Sequence, residues 1–179
     1  MSVPELLWLA AHAARSRRIL EVGSWTGRST RALTDNTPGT VYAIDTWEGS
    51  VDGDLKDILR ERGDNWAREE FQRNTEGVPN LRAYCLTSGM ASEVVAGLAP
   101  FDMIFIDGSH DYKSVRNDIV CWLPRLAPGG LLCGHDYTLT RPHCAGVKKA
   151  VDEIFGKDVF TMSPDDGEHS IWWTYPSQR

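Results

Sequence analysis

Short apolar runs that each stop at an acid or a glycine constrain this chain most. They read RILEVG at 18–23, TVYAID at 40–45 and FDMIFID at 101–107. Runs of this length and purity suit strands buried on both faces. NLRAYCL at 80–86 and Leu131 to Gly134 read as two more strands. Asp158 to Met162 and Ser170 to Thr174 form a final pair, close together in sequence. Helical segments lie between them. Asp111 to Leu123 places Val115, Ile119, Trp122 and Leu123 at i, i+4, i+7 and i+8, which is one face of a helix. Asn65 to Asn74, Met90 to Leu98 and Val147 to Phe155 read the same way. Pro124 and Pro128-Gly129-Gly130 break the pattern before the fifth strand. Strands separated by helices pair through crossovers. The expectation is therefore an α/β domain with a mostly parallel seven-stranded sheet and helices on both faces.

The chain has 179 residues and shows no linker or repeat, so one domain over 1–179 is expected. Its formal net charge of -6 argues against a nucleic-acid partner. The four cysteines, at 85, 121, 133 and 144, form no CxxC pair. Cys85 and Cys133 lie in apolar runs and are expected to pack as small hydrophobes. That usage fits a reducing, cytoplasmic setting. The first segment reads as a helix with Leu6, Leu9, Ala10 and Ala13 on one face. Its basic residues follow the apolar stretch, the wrong polarity for a secretory signal. No run is long enough for a membrane span.

Parallel sheets bind ligands outside the carboxyl ends of their strands. The acids and glycines that end these strands thus mark the ligand edge. The first turn, Glu21-Val22-Gly23-Ser24-Trp25-Thr26-Gly27, has GxxxG spacing. The GxGxxG expected for a pyrophosphate is missing. Asp45 ends the second strand, where a carboxylate accepts from both hydroxyls of a ribose. An adenosyl group without a pyrophosphate satisfies both facts, and S-adenosylmethionine (SAM) is such a ligand.

EVGSWTGRS resembles the first motif of class I SAM-dependent methyltransferases, and AIDTW resembles their second. FDMIFIDGSHDY followed by LAPGGLLCGHDY is similar to their fourth and fifth strands. The resemblance covers roughly 15–155. It implies a Rossmann-like fold and methyl transfer from SAM. Glu21, Gly23, Ser24, Gly27 and Ser29 would shape the methionine end. Asp45 would hold the ribose, with Thr46 beside it, and Trp47 would flank the adenine. Ser88 would touch the adenine edge, and Asp107 would stand near the reacting end.

The closer resemblance is to the metal-dependent small-molecule O-methyltransferases, of catechol and caffeoyl-CoA type and of macrolide or aminocoumarin sugars. These carry an acid after the fourth strand and a polar pair after the fifth. Asp107, His135 and Asp136 match that spacing as ligands of a divalent cation. His110, three residues after Asp107, matches the base, so Asp107 and His110 are the expected catalytic pair. An imidazole beside two carboxylates favours Mn²⁺, Fe²⁺, Co²⁺ or Zn²⁺ over Mg²⁺. His135 as an outer partner or second base stays open. So does a structural reading in which these residues only cap turns.

Residues 46–63 lack a clear period, and the 46–70 segment leaves from the ligand edge. It is expected to form a lid over the acceptor pocket, with Trp47 at its base and Trp66 on its far side. Weaker features are His143-Cys144 as part of a zinc site, Asp52, Asp54 and Asp57 as a calcium loop, and His12 and His169 as satisfied surface residues. Trp172 and Trp173 alternate along a strand, so at least one belongs to the core. The expected acceptor is a small hydroxylated molecule, and the chain offers little beyond the core sheet to enclose it. A second copy of the chain in a homo-oligomer, or the 46–70 segment, is expected to complete the pocket. Rival readings are a metal-independent methyltransferase, an NAD(P)-dependent oxidoreductase and an idle adenosyl-binding module.

Overall fold

The computed structural model describes residues 1–50, 54–138, 144–162 and 170–176. Asp52, His143 and His169 lie outside them. Chain order is α1 (Val3–Ala13), β1 (Arg18–Val22), α2 (Arg28–Thr34), β2 (Thr40–Asp45), α3 (Asp54–Arg62), α4 (Trp66–Asn74), β3 (Leu81–Cys85), α5 (Ser88–Val94), β4 (Phe101–Ile106), α6 (Tyr112–Trp122), β5 (Leu126–Gly134), α7 (Ala145–Phe155), β6 (Phe160–Met162) and β7 (Ile171–Thr174). Short 3-10 turns follow α5 and α6.

The seven strands form one sheet in the order β3-β2-β1-β4-β5-β7-β6. The first five pair in parallel. β7 runs antiparallel between β5 and β6. The crossover after β1 leads to β2 on one side, and the crossover after β3 returns to β4 on the other, which opens a crevice between β1 and β4 at their carboxyl ends.

Alternation along the central strands sorts side chains between two faces. Leu20, Val22, Ile104 and Ile106 pack with Ile119 and Trp122 of α6 and Val147 and Val151 of α7. Ile19, Met103, Phe105, Leu131 and Cys133 pack with Leu9 and Ala13 of α1 and Leu33 of α2. Trp172 is buried in the first of these cores, as the alternation of the tryptophan pair requires. Both layers exclude water from strands that carry almost no polar side chains, as an α/β sheet needs.

Four local readings change. Residues 46–70 are not structureless. Leu55, Ile58 and Leu59 give α3 a helical period that flanking glycines obscured. Leu59 joins Trp47, Ala67 and Phe71 in a small third core. β5 begins at Leu126, so Pro128-Gly129-Gly130 lies inside it, at a register shift opposite Phe101 to Met103. A bulge tolerates such residues within a strand. Cys85 is exposed, because β3 is an edge strand, whereas Cys133 is buried as expected. Asp57 pairs with Arg60 on the exposed face of α3, and only that part of the calcium-loop reading falls where a side chain is described.

Candidate functional site

A cavity of about 540 Å³ opens at the carboxyl ends of β1, β2 and β4. Gly23, Asp45, Thr46, Ser88 and Asp107 line it. Leu55 and Lys56 of α3 line one side of it. The backbone ladder runs one residue past each strand. Gly23 N–H donates to Ile44 O at 2.8 Å, Asp107 N–H to Val22 O at 2.8 Å, and His135 N–H to Ile106 O at 3.1 Å. These site residues are therefore positioned by the sheet itself.

Gly23 has φ 87°, and a Cβ there would stand 2.1 Å from the carbonyl oxygen of Asp107. Only glycine lets the β1 turn pass so close to the end of β4. Asp45 organises the same turn. Its Oδ2 accepts from the amides of Ser24 and Trp25, each at 2.8 Å, and its Oδ1 accepts from Trp47 N–H at 2.7 Å. The carboxylate keeps lone-pair capacity toward the cavity that it lines.

Glu21 lies beneath the turn and is fully buried. Hydroxyls of Ser24, Ser29 and Thr30 donate to it at 2.9, 2.6 and 2.5 Å. Burial pushes its carboxyl up to about 7, against the pull of those three hydroxyls, and Asp107 adds to the rise. Glu21 and Ser29 thus act on the cavity by shaping the turn between them. Gly27 begins α2 with φ 88°, packed under Phe71 and Thr75. Trp47 is not among the residues that line the cavity. It is buried against Phe71, and its indole N–H donates to Trp25 O at 2.8 Å. Trp66 packs edge-on against Trp25.

Asp107, His135 and Asp136 converge: one ligand atom from each lies within 4.8 Å of the others. His135 Nδ1 is 3.1 Å from Asp136 Oδ2 and 3.5 Å from Asp107 Oδ1. His110 Nε2 is 3.0 Å from the same Asp136 oxygen. Gly146 permits this, because α7 begins directly on the backbone of the His110 loop, where a Cβ would stand 2.3 Å from His110 O. Asp111 caps α6 through Lys113 and Ser114 N–H, which separates it from the cluster.

One member of the cluster was not anticipated. Glu5, wholly buried in α1, places Oε1 3.0 Å from His135 Nε2. Ser2 N–H and Oγ–H donate to its other oxygen at 2.6 and 2.9 Å. Burial alone would lower the pKa of His135. Asp107, then Asp136 and Glu5, outweigh burial and hold it at about 12. Burial likewise pushes Glu5 up, but His135 and Ser2 bring it down to about 2. Asp136 falls well below the carboxylate range, because the two imidazoles outweigh its burial.

Two further groups stand at this edge: Cys144, half of the His143-Cys144 pair noted in the sequence, and Asp118, which the sequence did not single out. Buried Cys144 places its sulfur within 4.8 Å of the ligand atoms of His110 and Asp136. Asp118 of α6 lines the cavity, and burial pushes its carboxyl up to about 6, opposed by a hydrogen bond with Ser88. The hydroxyl of Ser88 also accepts from Trp122 Nε1 at 2.8 Å. Among the described residues, the non-glycine residues with positive φ are Trp25, Trp47 and Asp136. All three lie at this edge, where backbone strain commonly accompanies function. His12 belongs elsewhere, stacked on Trp8 and bonded to its carbonyl.

Residues 20–137 match the family model described as "Methyltransferase domain". A protein of Sinorhizobium fredii (strain NBRC 101917 / NGR234), named as uncharacterized protein y4gI, is 30% identical in an alignment 146 residues long that covers 79% of this chain. The chain spans 15% of that relative's length. Cofactor-bound Rv0187 from MTB superposes with a TM-score of 0.75 at 16% identity, covering 99% of this chain and 82% of that one. The O-methyltransferase from Bacillus cereus in complex with SAH gives 0.64 at 18% identity, covering 98% and 82%. At these identities the two structures establish a shared fold. No helix among the described residues is long and apolar enough to cross a membrane.

Proposed function

Since the chain belongs to the methyltransferase domain family, we propose that it transfers a methyl group from SAM to a hydroxyl of a small molecule, assisted by a divalent cation. One observation carries this reading. Asp107 both lines the cavity sized for an adenosyl ligand and belongs to the donor group of His135 and Asp136. Donor and acceptor sites would thus share one side chain.

The cavity residues divide the cofactor among them. Asp45 accepts from the ribose hydroxyls, and Ser88 and its neighbours meet the adenine. The turn held by Glu21 receives the methionine end. The donor set suits a cation: three carboxylates, Glu5, Asp107 and Asp136, surround one imidazole and so carry excess negative charge. Asp107, His135 and Asp136 would hold it, and when bound it would lower the pKa of the acceptor hydroxyl. His110 removes the proton. Its Nε2 lies 3.0 Å from Asp136, whose carboxylate would stabilise the imidazolium formed when His110 takes the proton. The methyl group passes in line from sulfur to oxygen, helped mainly by positioning. S-adenosylhomocysteine (SAH) and the methylated acceptor remain.

A metal-independent variant has its own support. His135, held cationic among three acids, already supplies a positive charge at the same place. Calorimetric titration with SAH, with and without Mn²⁺ or Mg²⁺, tests both. Binding of SAH strengthened by cation supports the main reading. Binding indifferent to cation, with turnover that survives chelation, transfers support to the variant. Absence of SAH binding under either condition overturns both.

A further inference from the structure

We propose that Glu5 is a positioning residue for the cation site: its carboxylate holds the Nε2–H of His135 and so turns the ring's other nitrogen toward the point between Asp107 and Asp136. This rests on the cation reading above and goes beyond it, to a residue on the first helix.

Glu5 has two tasks, one for each oxygen. Oε2 closes a capping box with Ser2 at the start of α1. A capping glutamate needs only that oxygen and normally sits in solvent. Here the side chain is fully buried, and Oε1 is spent on His135 Nε2 at 3.0 Å. Burying a carboxylate is costly unless it is paired and hydrogen-bonded. The capping box alone does not account for placing one here.

The effect on His135 follows from tautomer chemistry. An imidazole that ligates a cation has given up one proton and keeps one N–H, and a hydrogen bond at one nitrogen selects the role of the other. Glu5 is an acceptor only when ionised, so Nε2 must donate. Nδ1, at 3.1 Å from Asp136 and 3.5 Å from Asp107, is then the nitrogen left to ligate. A carboxylate behind a ligating histidine also fixes the ring's orientation and raises its basicity. Ser2 fixes Glu5 in turn, with contacts to both its backbone amide and its hydroxyl. The chain of control runs from the first turn of α1 to the end of β5.

The test compares wild type, Glu5→Gln and Glu5→Asp by calorimetric titration with MnCl₂ and with ZnCl₂. SAH affinity without cation serves as the control for folding. Loss of about 10- to 100-fold in cation affinity for Glu5→Gln, with unchanged SAH affinity, is the expected result. Glu5→Asp, which keeps the charge, should recover part of it. Equal cation affinity in wild type and Glu5→Gln overturns this inference and leaves the cation reading standing. No cation binding to wild type overturns both. Nitrogen NMR of Zn²⁺-loaded wild type gives a readout that needs no variant. Zinc on Nδ1 with the proton kept on Nε2 supports the proposal, and the reverse overturns it.

Discussion

A methyl group on Gly23 would stand 2.1 Å from the carbonyl oxygen of Asp107, so the β1 turn and the end of β4 touch backbone to backbone. Gly77 offers a comparison, with φ 73° and nothing within 4 Å of an added Cβ. Gly77→Ala should cost only the left-handed backbone penalty, about 1–2 kcal/mol. Gly23→Ala adds a clash that backbone must absorb, for roughly 2–5 kcal/mol in all. Urea unfolding of the two variants measures the difference. Equal losses would show that the contact is slack.

Glu21 makes stability depend on pH in a defined window. Its carboxyl is near 7 when folded and near 4.5 otherwise. The folded state therefore keeps a proton that the unfolded chain has released. The contribution is full below pH 4.5 and is lost as pH rises through 7, on the order of 3 kcal/mol. Glu21→Gln should gain stability relative to wild type across that window. Glu5 has the opposite sign: its folded value is about 2, so its contribution is present above pH 4.5 and is lost as pH falls toward 2. His135, raised to about 12, loses its contribution progressively above 6.5 in both proteins, so it cancels in the difference. Unfolding curves at several pH values check the slope.

His110 lies outside the cavity lining but bonds to Asp136. His110→Ala is expected to lower kcat by about 10²- to 10⁴-fold as a lost base, with SAH affinity unchanged. A parallel loss of SAH affinity would move His110 from chemistry to cofactor binding.

The 46–70 segment should respond to ligand. Lys56, Arg60 and Arg62 are exposed on α3, and α3 forms one wall of the cavity. Saturating SAH is expected to slow tryptic cleavage at these sites. An unchanged rate would count against a lid.

Alternation was the most legible signal. Apolar runs predicted the strands, and the strand ends predicted which residues share an edge. The same period contained more than was drawn from it. Ile19, Met103, Phe105, Leu131 and Cys133 face α1 and α2. One further step of two along β1, β4 and β5 puts Glu21, Asp107 and His135 on that face. Glu5 could not be found this way, because its role depends on where α1 packs, and packing is not periodic. The spacing of Ser2 and Glu5 suits a capping box, which points to a helix start and not to a partner on β5. Cys144 was read only as part of a loose zinc pattern with His143, because spacing along the chain does not reveal that α7 begins against the His110 loop. Trp47 shows the converse. Its position after Asp45 pointed to the cofactor, while the α4 residues packed with it, Ala67 and Phe71, lie twenty or more positions away.

The bond between Glu5 and His135 joins residues 130 positions apart. During synthesis that interval is roughly 10 s long. A buried carboxylate without its partner is strongly disfavoured, so α1 can be made early but cannot settle until β5 has been laid down. The first helix is then among the last to dock, and the site closes as a late event of folding. Pulsed hydrogen exchange during refolding would show this as α1 amides gaining protection no sooner than those of β5.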